Sequence, residues 1–403
     1  MRKIIALIGL GCLAACGTQN MNEDVKVSRA ISLEMEDSPY QLFFESERFL
    51  ADKEQERVEV EGVHFFGESL HVKLAEGSPV QYSFQNKKGV VVAEGLYDSP
   101  NNGGISLATL PVGRYFLYLD GCGATVEPGL SERWYTVTRK GFAHKIQLSR
   151  SYHGRLAVEV EAVKKLPKQV YDILIDPGHG GMDTGTSGNG LIESEEVLTL
   201  SLYMASRFED HGLKVKLSRD GDYESAGAGN YHHIESPYYD NGRVEQAYRH
   251  QAKYLISNHL NAVGGGILVE GYEVYTSILT DDKWSSTVSK ALCSTGRTVR
   301  DSLQNEYRVS KGSFKKWSQD APDKDYLYIL RESGGVLSKS TSLVKYNPAY
   351  EEVPLHGAEA MLVEYAYIDN PAEAQLWNQH AEAWAEAVIK GTLEYLGITY
   401  KER

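Results

Sequence analysis

A short apolar run, Ile173-Leu174-Ile175, opens directly into Asp176-Pro177-Gly178-His179-Gly180-Gly181. A strand that enters a glycine-rich loop this abruptly needs a partner on either side, and the residues that follow supply an alternation of helical and strand periods. Leu198, Leu202, Ala205 and Phe208 recur at helical spacing and stop at Gly212, after which Leu213, Val215 and Leu217 alternate. Further strands are expected at 254–257, 272–275, 326–330 and 361–363, and helices at about 283–304 and 372–396. In the first of these helices Trp284, Val288, Leu292, Val299 and Leu303 face inward. Strands alternating with helices predict an α/β domain over 169–400, a twisted and mostly parallel sheet flanked by helices.

Upstream the period is different. Between 58 and 165 short alternating runs such as Leu70-His71-Val72-Lys73-Leu74, Tyr115-Phe116-Leu117-Tyr118-Leu119 and Leu156-Ala157-Val158-Glu159-Val160 are separated by turn signals, Asn101-Asn102-Gly103-Gly104 and Pro111-Val112-Gly113 among them. This predicts an all-β sandwich that precedes the α/β domain, with Lys164-Lys165-Leu166-Pro167-Lys168 as the linker. No cluster of catalytic residue types accompanies it, so it reads as a positioning or binding module, or equally as a spacer. Residues 16–57 are polar and acidic and read as a tether. Residues 1–15 carry Arg2 and Lys3 ahead of an apolar run that is too short to span a bilayer. That run ends in Leu13-Ala14-Ala15-Cys16-Gly17, which looks like a bacterial lipoprotein box with Cys16 as the lipidated residue. The mature body then keeps Cys122 and Cys293, which lie in different predicted domains and read as free buried thiols rather than a disulfide. A net charge of -13 argues against nucleic-acid binding and against electrostatic adhesion to anionic surfaces, so membrane contact rests on the lipid anchor.

The residues able to do chemistry fall at the predicted element ends. His179 follows the first strand, His259 the 254–257 strand and Glu364 the 361–363 strand, while Glu193 sits just before a helix. Open α/β sheets bind ligands outside the carboxyl ends of their strands, so His179, His259 and Glu364, three of these four, are expected to converge at one edge. Two imidazoles and a carboxylate are a catalytic zinc set with a fourth position for water, and a further carboxylate off the metal is able to take that water's proton. Each residue alone has a plainer role: a histidine in a glycine loop as a hydrogen-bonding group, a glutamate ahead of a helix as a dipole partner. Glu364 is harder to place that way, because an unpaired carboxylate straight after a buried apolar strand carries a desolvation cost unless a cation compensates it.

Several ordered motifs go further. Ile173 to Gly181, Gly190-Leu191-Ile192-Glu193, Leu217-Ser218-Arg219-Asp220, Ser257-Asn258-His259-Leu260-Asn261-Ala262, Gly271-Tyr272-Glu273-Val274-Tyr275 and Leu362-Val363-Glu364-Tyr365-Ala366-Tyr367-Ile368-Asp369-Asn370 together resemble the zinc-dependent N-acetylmuramoyl-L-alanine amidases often called amidase 3. The resemblance implies Zn2+ on His179, Glu193 and His259 and general acid/base work by Glu364. It also implies peptidoglycan as substrate, cut between N-acetylmuramic acid and L-alanine. Asn261, Arg243, His232 and His233 are candidates for holding substrate, although a solvated loop accounts equally well for the two histidines.

Two stretches exceed the usual pattern. One lies between Ser225 and Asp240, and the other, 333–360, holds 28 residues including Glu351, Glu352, His356 and Glu359. The second raises autoinhibition relieved by a protein activator, but it is not where the regulatory helix of related enzymes sits. The expected whole is an extracytoplasmic, lipid-anchored hydrolase. Its rivals are a zinc peptidase cutting within the stem peptide and a catalytically silent wall-binding lipoprotein.

Overall fold

The computed structural model describes residues 57–74, 79–97, 104–126, 133–151, 154–224, 241–300, 307–310, 313–316, 327, 329–330 and 356–403. Cys16, the signal and tether segments, His232, His233 and most of the 333–360 insertion lie outside them.

The N-terminal part is built of strands: β1 (Arg57–Phe66), β2 (Ser69–Leu74), β3 (Val80–Asn86), β4 (Val91–Tyr97), β5 (Ile105–Ser106), β6 (Gly113–Leu119), β7 (Cys122–Val126), β8 (Arg133–Arg139), β9 (Phe142–Arg150) and β10 (Leu156–Ala162). They are joined in one branched sheet rather than two separate ones. The joint is β6, whose one edge serves β10 along Gly113–Phe116 and β7 at Tyr118 and Leu119, while β3 pairs its other edge.

The C-terminal part contains β11 (Ile173–Pro177), β12 (Ser187–Gly188), β13 (Leu191–Ile192), α1 (Glu193–Asp210), β14 (Val215–Leu217), α2 (Arg243–Arg249), β15 (Tyr254–Asn261), β16 (Glu273–Thr276), α3 (Lys283–Cys293), β17 (Tyr307–Ser310), β18 (Ser313–Lys316), β19 (His356–Gly357), β20 (Glu359–Tyr367) and α4 (Pro371–Leu396). Its main sheet runs β14-β11-β15-β20-β16-β18-β17. The sheet is mixed: β14, β11, β15 and β20 are parallel neighbours, whereas β16 opposes β20 and β17 opposes β18. Strand β11 is buried along its whole length, as expected of a strand covered on both faces. Helix α4 starts where Asn370 Oδ1 accepts the Ala372 amide and Pro371 takes the first turn, and it stops at Gly397 in the left-handed conformation.

Several local expectations are corrected. Helix α3 ends at Cys293, not near 304, because the Ser294 and Thr295 hydroxyls turn back onto the carbonyls of Ala291 and Leu292 and Gly296 is left-handed. Val299 then bridges to Tyr272. Ile329 and Leu330, expected in a strand, are helical and pack in a core with Phe314 and Leu362; an apolar run without a period does not distinguish the two. The buried face of α1 is carried by Val197, Leu200, Met204 and Phe208, while Leu202 is exposed. Cys122 is half-buried and Cys293 exposed, so neither is the buried thiol expected, and neither forms a disulfide among the described residues.

The two parts are welded together despite the intervening 163–172 segment. One apolar core contains Leu70, Tyr135 and Ile146 from the first part together with Tyr254, Trp284 and Leu393 from the second. Polar contacts cross as well. Tyr254 Oη donates to Glu68 at 2.9 Å, the Asp281 amide to Ser69 Oγ at 2.9 Å and the Lys140 amide to the Leu396 carbonyl at 2.8 Å, and β1 pairs with β19. Tyr254 and Glu359 open β15 and β20, so these contacts of the first part fall at the amino ends of the central strands.

Lys253 lies at this junction with its ammonium over the Tyr135 ring at 5.3 Å. Burial lowers its pKa from the usual 10.5 to about 7. Between those two values the unfolded chain binds more protons than the folded one, so stability rises with pH across that window. A Lys253→Met variant is therefore expected to melt higher than the wild type at pH 7 and to lose that advantage above about pH 10.5, read by thermal denaturation at both pH values.

Candidate metal centre

Beyond β11 the chain turns through the glycine loop, and His179 sits at its apex with φ +60°, a left-handed conformation costly for a residue with a side chain. Arg243 holds it there, donating from Nη2 to the His179 carbonyl at 2.7 Å. The ring is oriented from behind: Nδ1 faces Asp183 Oδ2 at 2.8 Å, which leaves Nε2 towards Glu193 Oε1 at 3.1 Å. Glu193 is the first residue of α1, and its carboxylate is fixed by the amides of Leu260 on Oε1, 3.1 Å, and Thr186 on Oε2, 2.9 Å. His259 completes the group from β15, with Nδ1 3.0 Å from Glu193 Oε1 and Nε2 3.1 Å from Ser257 Oγ.

One potential ligand atom from each of His179, Glu193 and His259 lies within 4.8 Å of the other two. Two glycines make this closeness feasible. A Cβ on Gly178 would lie 2.3 Å from the His259 ring, and one on Gly185 would lie 2.6 Å from both Glu193 and His179. Glu364 lies beside the group on β20, directly across from His259 in the ladder. Its Oε2 is buried and has no hydrogen-bond partner among the described residues.

The strand ends are not where the sequence suggests. His259 and Glu364 lie inside β15 and β20, since the two strands keep pairing as far as Asn261 and Tyr367, with a bulge between His259 and Asn261. Arg243 is also corrected. It is buried, with Nε on Asp176 at 2.7 Å and Nη2 on the His179 carbonyl, so it shapes the loop instead of facing a substrate. Asn261 is engaged too, donating to Glu273 Oε2 at 2.9 Å. Glu273 accepts in addition from Tyr275, Tyr367 and Arg300, a buried hub beside Glu364; Glu273, Tyr275 and Tyr367 stand in quoted motifs, but nothing in those motifs says that they meet.

Residues 173–394, more than half of the chain, match the family described as N-acetylmuramoyl-L-alanine amidase. The chain belongs to that family. Over 247 residues this amidase is 28% identical to the N-acetylmuramoyl-L-alanine amidase AmiA of Escherichia coli, an alignment covering 55% of this chain and 75% of the relative. Over 235 residues it is 28% identical to the endolysin of Bacillus phage SPP1, covering 57% and 67%. Among solved structures it is similar to the amidase AmiC2 of Nostoc punctiforme, at 25% identity and TM-score 0.37, covering 57% of this chain and 97% of that one.

The electrostatics of the amidase site favour a cation. Burial alone would lower the His179 pKa, but hydrogen bonds to Asp183 and Glu193 outweigh it and push it up to about 10. Burial would raise Glu193, and the two histidines prevail and hold it well below the usual carboxylate range. Carboxylates that stabilise an imidazolium stabilise a metal ion at the same place, with the ion displacing the proton. Burial, then the charges of Glu193 and Glu273, push Glu364 well above the usual range. Two imidazoles and one carboxylate fit a metal centre, and a buried carboxyl group with an unpaired oxygen lies next to them.

Proposed function

We propose that this amidase hydrolyses the amide between N-acetylmuramic acid and L-alanine in peptidoglycan, with zinc held by His179, Glu193 and His259 and with Glu364 as general acid/base. The observation that carries the reading is the unpaired, buried carboxylate oxygen of Glu364 opposite His259, next to three converged ligands. When bound, zinc supplies Lewis acidity and positive charge, which polarise a carbonyl, acidify water and draw the neighbouring carboxyl back towards its ionised form. Glu364 then accepts the proton of the attacking water and delivers it to the leaving nitrogen. That second transfer is required, because an amide anion is too basic to depart. Asp183 keeps His179 Nε2 turned inward, and the Leu260 and Thr186 amides hold Glu193 in place.

Digestion of purified peptidoglycan followed by mass spectrometry tests the bond cleaved. Intact stem peptides with free L-alanine amino termini are expected; shortened peptides still attached to sugar would assign a peptidase instead, and no release at all a silent wall-binding protein. His179→Ala is expected to lose zinc by elemental analysis along with all activity, and a variant that keeps its zinc would remove His179 from the ligand set.

The reading extends to location. The segment ending in Leu13-Ala14-Ala15-Cys16 supports a lipid anchor on the outer face of a bacterial membrane, with the β part holding the catalytic part at the wall. No helix among the described residues is long and apolar enough to cross a membrane. Fractionation of a Cys16→Ala variant tests the anchor, with release from the membrane fraction expected.

A further inference from the structure

Behind the two histidines lies a residue that touches neither. Asp176, at the end of β11, is fully buried and accepts three hydrogen bonds: from Ser218 Oγ at 2.6 Å and Arg243 Nε at 2.7 Å on Oδ1, and from Ser257 Oγ at 2.7 Å on Oδ2. Each donor leads somewhere. Arg243 continues to the carbonyl of the left-handed His179, and Ser257 continues to Nε2 of His259 at 3.1 Å.

A serine hydroxyl has one proton to give. With that proton on the Asp176 carboxylate, Ser257 Oγ meets His259 as an acceptor, and Nε2 must then carry the ring proton. The Nδ1 lone pair is left facing Glu193 and the ligand group. His179 is set the other way, because Asp183 accepts from its Nδ1 and frees Nε2. We propose that Asp176 is a positioning residue which, through Ser257, fixes His259 in the Nε2–H tautomer and makes Nδ1 its metal-ligating atom, so that the two histidines bind through opposite ring nitrogens. The inference rests on the metal-centre reading above and adds which atom binds and what selects it. The alternative arrangement, in which Nδ1–H donates to Glu193 and Ser257 donates to Nε2, would take the proton from Asp176 and leave Nε2, which points away from the ligand group, as the only unprotonated nitrogen.

The test uses the full chain loaded with zinc. Long-range 1H–15N correlation on 15N-histidine-labelled wild type is expected to show one ring bound through Nε2 and protonated on Nδ1 and one bound through Nδ1 and protonated on Nε2; both patterns vanish in zinc-free His179→Ala, and the ring whose Nε2–H signal shifts in Ser257→Thr is His259. Binding of both rings through Nε2 would overturn the proposal while leaving the metal centre standing. A wild type that takes up no zinc overturns both. In a competition titration with a chromogenic chelator, Ser257→Ala is expected to bind zinc about 10- to 100-fold more weakly, the usual effect of losing a group that orients a ligand. Ser257→Thr, which keeps the hydroxyl, is expected to restore most of it. An unchanged affinity in Ser257→Ala would also overturn the proposal, and should that variant fail to fold, the wild-type spectrum decides alone.

Discussion

A Glu364→Gln enzyme is expected to keep its zinc and lose about 10²- to 10⁴-fold in kcat, the range typical of removing a general acid/base. Glutamine has the same shape and leaves the packing of β20 intact, but it has no carboxylate to accept a proton from water. The loss falls on kcat because Glu364 touches none of the hydrogen bonds that hold His179, Glu193 or His259. A second expectation separates this role from a structural one. Burial and the carboxylates of Glu193 and Glu273 raise the Glu364 pKa in the folded, metal-free chain above its unfolded value. The folded state therefore holds this proton more tightly, and its contribution to stability, present below about pH 4.5, is lost as pH rises. Glutamine has no such loss. The metal-free variant is expected to melt higher than metal-free wild type at pH 7 and no higher at pH 4. Loss of zinc from the variant would make Glu364 a ligand instead of a proton carrier, and full activity would remove it from the mechanism.

The four residues of the site were legible because each lies in a motif of unusual composition, and because metal chemistry asks for those residue types. What holds them was not. Asp183 orients His179 from a loop without any periodicity, and Ser257 is one of many serines until the strand across from it is known. Asp176 stands in the glycine-loop motif, yet its three partners come from 42, 67 and 81 residues away. Arg243 illustrates the same limit. A cation at a helix start near a predicted site reads as a substrate contact, and only the packing of α2 against the loop shows it buried on Asp176. Strand length was similarly hidden. Local pattern ended β15 and β20 early, whereas the ladder between them extends both to where Asn261 meets Tyr367. Helix α4 was legible nearly to the residue, since both of its ends are written locally by Asn370-Pro371 and Gly397.

The junction between the two parts was the least legible feature, and it carries the largest stability effect to be expected. Arg139 and Glu68 form a buried ion pair in the β part, and Arg139 also donates to the carbonyls of Leu110 at 2.9 Å and Leu107 at 2.7 Å. Glu68 accepts on its other oxygen from Tyr254, the first residue of β15, 186 residues away. Arg139→Met strands the Glu68 charge in the junction with a single hydroxyl donor and leaves two carbonyls without that donor. Removing one member of a buried pair costs about 3–5 kcal/mol, so a drop of many degrees in the melting temperature is expected. The double variant Glu68→Gln with Arg139→Met is expected to recover much of that loss, because no uncompensated charge remains. Catalysis is expected to respond differently from stability. Tyr254 is five residues from His259 along a strand rising about 3.3 Å per residue, so the damage lies about 16 Å from the ligands, at the opposite end of β15. Below its melting transition the single variant should therefore bind zinc and turn over substrate like the wild type. A loss of zinc affinity at unchanged melting temperature would contradict this division, and would mean that the junction acts on the metal centre and not only on the fold that carries it.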